Sequence, residues 1–138
     1  MSLANPPRAV VVDASAMVEA LLGGPRWLER LGHWQDEGAF ILAPPHFRLE
    51  TANALLRSVR LEPADAMARV SALFEAGVDI ADRGLPGLLD AVELADRHGL
   101  TVYDAGYLQL ALELDGELAT LDRALAQAAR TEGVGVID

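Results

Sequence analysis

The strongest constraint on this chain is the alternation of short, unbroken apolar runs with longer helical stretches. Ala9-Val10-Val11-Val12 is apolar at consecutive positions, so a strand there must be covered on both faces. Phe40-Ile41-Leu42-Ala43 has the same character and is stopped by Pro44-Pro45. Val78-Asp79-Ile80 is weaker, Glu117 to Leu121 reads as a fourth run, and Val134 to Ile137 closes the set. Strands of this kind, separated by helices, predict a parallel sheet buried on both sides.

The intervening segments carry helical periodicity. Ser15 to Leu22 and Trp27 to Glu37 fill the first crossover. Phe47 to Leu61 has an apolar face of Phe47, Leu49, Ala54, Leu55 and Val59. Pro63 opens the next helix, where proline costs least, with Met67, Val70, Leu73 and Phe74 as its inward stripe. Leu88 to His98 stops at Gly99, and Asp104 to Leu114 and Arg123 to Arg130 follow. The reading is one α/β domain over residues 9–138, preceded by a loose, proline-bearing tail over residues 1–8.

Several chemistries are excluded by residue type. The 138 residues contain no cysteine, which removes disulfides, thiolate metal sites and a cysteine nucleophile. All 11 basic residues are arginine, so a Walker-type phosphate loop and a Schiff base are ruled out as well. No apolar run approaches the roughly 20 residues of a membrane span, and the first residues lack signal-peptide character. A cytoplasmic location is expected. The net charge of −10 disfavours broad, sequence-independent phosphate binding.

In parallel sheets, ligands bind beyond the carboxyl ends of the strands. Asp13 and Asp122 both follow a strand. Glu50 falls early in the helix after Pro44-Pro45, and Asp104 opens the helix after Val102-Tyr103. Each alone has an ordinary role as a helix cap or first-turn acid, and Ser15 competes with Asp13 as a cap. Four carboxylates converging at one sheet edge would repel, and a hard divalent cation resolves that conflict.

The blocks carrying these acids resemble the PIN-domain nucleases, and within them the VapC-type toxins of toxin–antitoxin pairs. The likeness runs from about Arg8 to the C-terminus. It rests on Val11-Val12-Asp13-Ala14-Ser15, on Pro44-Pro45 with Glu50-Thr51-Ala52-Asn53-Ala54-Leu55, on Leu100 to Tyr107 with Leu110-Ala111, and on Thr120-Leu121-Asp122. The resemblance implies a three-layer α/β/α domain with a five-stranded parallel sheet in the order 3-2-1-4-5. It implies a Mg²⁺- or Mn²⁺-dependent endoribonuclease acting on structured RNA, a cognate antitoxin and a homodimer. Asp13, Asp104 and Asp122 match the family's metal ligands and Glu50 its fourth acid. Ser15, Thr120 and Asn53 match supporting polar positions. Two other readings stand beside it: a domain of this family that binds RNA or a partner without cleaving, and a DNA- or structure-specific nuclease.

Arg48 and Arg123 are candidate RNA contacts. His46 is read as a residue at the start of its helix, His33 and His98 as surface or packing residues, and Trp27, Trp34 and Phe40 as core aromatics. Phosphatases of the haloacid-dehalogenase type need an aspartate where Ser15 stands, and a metal-dependent adhesion module needs a hydroxyl where Met17 stands.

Overall fold

The computed structural model describes residues 7–138, so most of the expected N-terminal tail (residues 1–6) lies outside the described residues. Five strands form one sheet: β1 (Ala9–Val12), β2 (Phe40–Ala43), β3 (Asp79–Ile80), β4 (Glu117–Ala119) and β5 (Val136–Ile137). Every pairing is parallel and the order is β3-β2-β1-β4-β5, as expected. Val10, Val11 and Val12 point alternately to the two faces, and all three are buried. Helices therefore cover both sides of the sheet. Strand order reverses between β1 and β4, the position where open parallel sheets leave a crevice at their carboxyl edge.

The helices are α1 (Ala14–Leu21), α2 (Pro25–Asp36), α3 (Phe47–Asn53), α4 (Pro63–Leu73), α5 (Gly84–His98), α6 (Val102–Glu113) and α7 (Arg123–Thr131). α5 starts at Gly84 rather than Leu88, because Pro86 falls in its first turn and no intrahelical N–H is needed there. Most of the core lies between sheet and helices, with Met17, Phe47, Tyr107, Leu108 and Leu118 among its fully buried members. Val18, Leu55 and Ala66 form a smaller cluster joining α1 to α4.

The expected single helix from Phe47 to Leu61 is shorter and not uniform. After Asn53 the chain makes a π-helical turn, Ala54–Ser58, in which the Val59 N–H reaches the Ala54 carbonyl. Arg60 then adopts φ 65°, which ends the helix before Leu61. Leu49 (79% exposed) is accordingly not part of an inward face. On α4 the buried side is Ala66 and Leu73 with partly buried Val70, while Met67 and Phe74 stand outward at 69% and 61%. Trp27 and Trp34 are core residues, whereas Phe40 is 53% exposed at the start of β2.

Candidate active site

Asp13 leaves the end of β1 and caps α1. Its N–H extends the ladder to the Ala119 carbonyl (3.1 Å), which fixes the carboxylate over the β1–β4 crevice. One carboxylate oxygen, Oδ1, accepts from the Ser15 hydroxyl (2.7 Å) and the Ala16 N–H (3.0 Å). The other, Oδ2, accepts from the Thr120 hydroxyl. Asp13, rather than Ser15, is thus the cap. A carboxylate has about four acceptor directions, so these three bonds leave one, on Oδ2. Asp13 is buried, and burial pushes its carboxyl above the usual carboxylate range against the pull of those three donors; Asp122 adds to the rise.

Ser15 and Thr120 each make two bonds and tie the two strand ends together. Ser15 Oγ accepts from the Leu121 N–H (2.9 Å), and Thr120 Oγ1 accepts from the Asp122 N–H (3.0 Å). Asp122 caps α7 through Oδ1, which accepts from the Leu125 N–H (2.9 Å), leaving its second oxygen open.

Asp104 lies in the first turn of α6. Of its two ordinary roles it takes that of a first-turn acid: Thr101 is the cap, and its hydroxyl accepts from the Asp104 N–H (3.1 Å). The Asp104 side chain is therefore free of capping. Burial raises its pKa and the Asp122 charge raises it further, against the hydrogen bond from Thr101. Glu50 sits in the first turn of α3, and burial with the charges of Asp104, Asp13 and Asp122 pushes its carboxyl up to about 6. The Tyr107 hydroxyl donates to Glu50 Oε1 (3.3 Å) and opposes that rise.

The four acids from β1, α3, α6 and the loop after β4 thus share one electrostatic field. Among the described residues, no three His, Asp or Glu side chains already close on a common point as a ready cage. Mg²⁺ does not require one: it is usually held by one or two carboxylates with water and phosphate oxygens. The donor set is all oxygen, its acids lift one another's pKa, Asp122 keeps one oxygen unengaged, and Thr101 is the hydrogen-bond partner of the Asp104 carboxylate. That donor chemistry fits a hard divalent cation.

Of the other candidates, Asn53 is exposed and makes no side-chain hydrogen bond among the described residues. Arg48 stacks over the Phe74 ring at 4.1 Å, and Arg123 is exposed at the start of α7. His33 pairs with Glu37 on the surface, and His98 bonds Glu132 (2.7 Å). His46 precedes α3 and joins it to α6: its Nε2–H donates to the Tyr103 carbonyl (2.7 Å), and burial lowers its pKa, leaving it neutral. Tyr107 is a site residue that the sequence pattern does not single out. Its position one turn after Asp104 is the available signal.

A family model described as "PIN domain" matches residues 10–131. The chain belongs to the PIN-domain family. Ribonuclease VapC3 of Mycobacterium tuberculosis is 38% identical over 128 residues, covering 90% of each chain, which sets this PIN domain among the VapC-type members. Ribonuclease VapC3 of Pyrobaculum aerophilum is 58% identical over 40 residues, 29% of this chain; that match spans only 30% of its length. Among solved structures, VapBC2 of Rickettsia felis bound to a DNA fragment from its promoter superposes with a TM-score of 0.70. It covers 94% of this chain and 97% of the other at 14% identity, a likeness of fold.

Proposed function

We propose that this PIN domain is a divalent-metal-dependent endoribonuclease and the toxin of a toxin–antitoxin pair. The observation that carries the reading is the shared field of Asp13, Glu50, Asp104 and Asp122 at the β1–β4 crevice, where burial and mutual repulsion hold Glu50 near pH 6. The family supports nuclease chemistry at that place, and the VapC-type relatives support RNA as the substrate. A domain of this family that binds without cleaving would be expected to lack one of the acids; all four are present.

Asp104, Asp122 and Asp13 would hold Mg²⁺ or Mn²⁺, all three offering carboxylate oxygens. A cation bound there supplies Lewis-acid polarisation of the scissile phosphodiester and offsets its charge. Glu50, near pH 6 before any cation binds, can orient an attacking water and take its proton at neutral pH. Tyr107 keeps that carboxylate turned into the crevice. Attack at phosphorus breaks the P–O3′ bond, the departing 3′ oxygen takes a proton from solvent, and the products are a 5′-phosphate and a 3′-hydroxyl. Ser15 and Thr120 hold Asp13, and Arg123 and Asn53, both exposed, together with Arg48 are the side chains assigned to the substrate strand. With a net charge of −10, few phosphate contacts are available, which favours a structured RNA held at a few positions.

An acidic crevice also suits inhibition by a basic segment of an antitoxin. Leu49, Met67 and Phe74 on α3 and α4 give an apolar face for a second copy. No helix among the described residues is long and apolar enough to cross a membrane, and a cytoplasmic toxin accords with that.

Asp104→Asn should retain the fold by circular dichroism while cutting RNA cleavage in Mg²⁺ by roughly 10²–10³-fold, as loss of a charge-stabilising group does elsewhere. Wild-type protein should cleave RNA in preference to DNA and stop in chelator. Undiminished cleavage by the variant, in a preparation free of other nucleases, rejects the site.

A further inference from the structure

A cavity of about 380 Å³ opens between α5 and α6, beyond the carboxyl ends of β2 and β3. That volume lies within the roughly 300–1,000 Å³ of small-ligand pockets. We propose that it receives one unstacked, amino-bearing nucleobase of the substrate strand, next to the phosphate that is cleaved. The inference rests on the ribonuclease reading above and names how that site selects its substrate.

His46 and Tyr103 connect the cavity wall to the acidic residues. His46 forms part of its wall and packs edge-on against Tyr107 (5.0 Å between ring centroids), whose hydroxyl reaches Glu50. Tyr103, also in the wall and 66% exposed, immediately precedes Asp104. In this assignment a strand with its phosphate at the carboxylates sets a neighbouring base on Tyr103. Bases splayed out of RNA loops are commonly held on such aromatic faces. Leu88 and Val102 supply apolar surface for the rest of the ring.

Gln109 supplies the polar discrimination. It is 6% exposed, lines the cavity, and donates through Nε2 to Glu113 Oε2 (3.3 Å). A carboxylate only accepts, and Glu113 is also held by Arg83, so the amide nitrogen is fixed on that side. The amide oxygen accepts no hydrogen bond among the described residues and is not sealed from solvent. Gly87 keeps it open: a Cβ there would stand 3.3 Å from it. That free acceptor can take a hydrogen bond from the exocyclic amino group of adenine, cytosine or guanine in place of water. Uracil offers only an N3–H between two carbonyl oxygens, which repel the Gln109 oxygen.

The test uses a short hairpin oligoribonucleotide carrying a single 2-aminopurine at successive positions, with Ca²⁺ in place of Mg²⁺. Fluorescence should change at one position only. There, adenine, cytosine or guanine should bind better than uracil or an abasic residue by roughly tenfold to a hundredfold, the scale of one stacked base. Gln109→Met should erase the advantage over uracil, and Val102→Trp, which fills the cavity from its rim, should erase the advantage over the abasic residue. The second variant keeps the test usable should the first fail to fold. No position-dependent change, or no base discrimination by wild-type protein, overturns the cavity assignment whether or not the RNA is cleaved in Mg²⁺. Variants that change oligomeric state with discrimination intact also overturn it, and assign the cavity to a protein contact. Discrimination without cleavage in Mg²⁺ overturns the ribonuclease reading instead and leaves the cavity as a base site.

Discussion

Asp13 is held by more hydrogen bonds than any other acid of the site, and the balance of its surroundings turns on Thr120. That hydroxyl gives its proton to Asp13 Oδ2 and accepts from the Asp122 N–H (3.0 Å). It is itself fully buried and its bond to Asp13 lies away from solvent, while the bond from the Asp122 N–H is part-buried. Thr120→Val keeps the shape and removes both contacts, leaving a carboxylate oxygen and a backbone N–H without a partner. The expected cost is about 1–3 kcal/mol in urea unfolding, with Thr120→Ser restoring most of it. Cleavage should fall in the valine variant as well, because Asp13 loses the bond that fixes the oxygen with a spare acceptor direction. Equal stability of the valine and serine variants would show that the hydroxyl is not needed.

At the scale of elements, the relevant contact is between α3, which bears Glu50, and α6, which bears Asp104. His46 sets their separation: its ring is hydrogen-bonded to the Tyr103 carbonyl and packed edge-on against both Tyr103 (5.8 Å) and Tyr107 (5.0 Å). Gly106 makes room for that ring, since a Cβ there would lie 2.9 Å from His46 Cε1. Gly106→Ala gains about 1 kcal/mol in helix propensity. It must also displace a ring pinned on three sides, and overpacking of this kind costs roughly 1–3 kcal/mol. A lower melting temperature with reduced cleavage is expected; a higher melting temperature would show that the ring moves freely. The strands, and the place of Asp13 and Asp122 at their ends, are legible in the sequence because continuous apolar runs do not depend on what packs where; the strand order and the joining of Glu50 and Asp104 to those two acids come from the family resemblance of the blocks that carry them. The helix faces are less legible. Met67 and Phe74 share α4 with Val70 and Leu73, and periodicity alone admits either pair as the inner one. The π-helical turn after Asn53 inserts a residue and rotates the rest of the helix. Thr101 displaces Asp104 as the cap of α6, and Tyr107 and Gln109 sit in an apolar stretch that reads only as core.

For the whole molecule, the acidic site couples stability to pH and to cations. Glu50, Asp104 and Asp13 all have pKa values raised by burial first and by neighbouring charge in addition. A carboxyl so raised favours folding while protonated, so its contribution is fully present below its ordinary value, 4.5 for Glu50, and is lost as pH rises through about 6. Glu113 and Glu132, held by Arg83, His98 and Arg97, are lowered and act in the opposite sense, losing stability as pH falls. Comparison with Glu50→Gln separates the two. In chelator the variant and the wild type should melt together near pH 4.5. By pH 7.5 the variant should be the more stable, on the order of 1 kcal/mol once solvent screening is allowed for, or a few degrees. Mg²⁺ should then stabilise the wild type more at pH 7.5 than at pH 5, because binding to the folded state alone adds stability and protonation competes with it. In Glu50→Gln that gain should shrink but persist, since Asp104 and Asp122 remain. A Mg²⁺ effect that is equal at both pH values would mean that the ion binds elsewhere on the surface of this acidic protein.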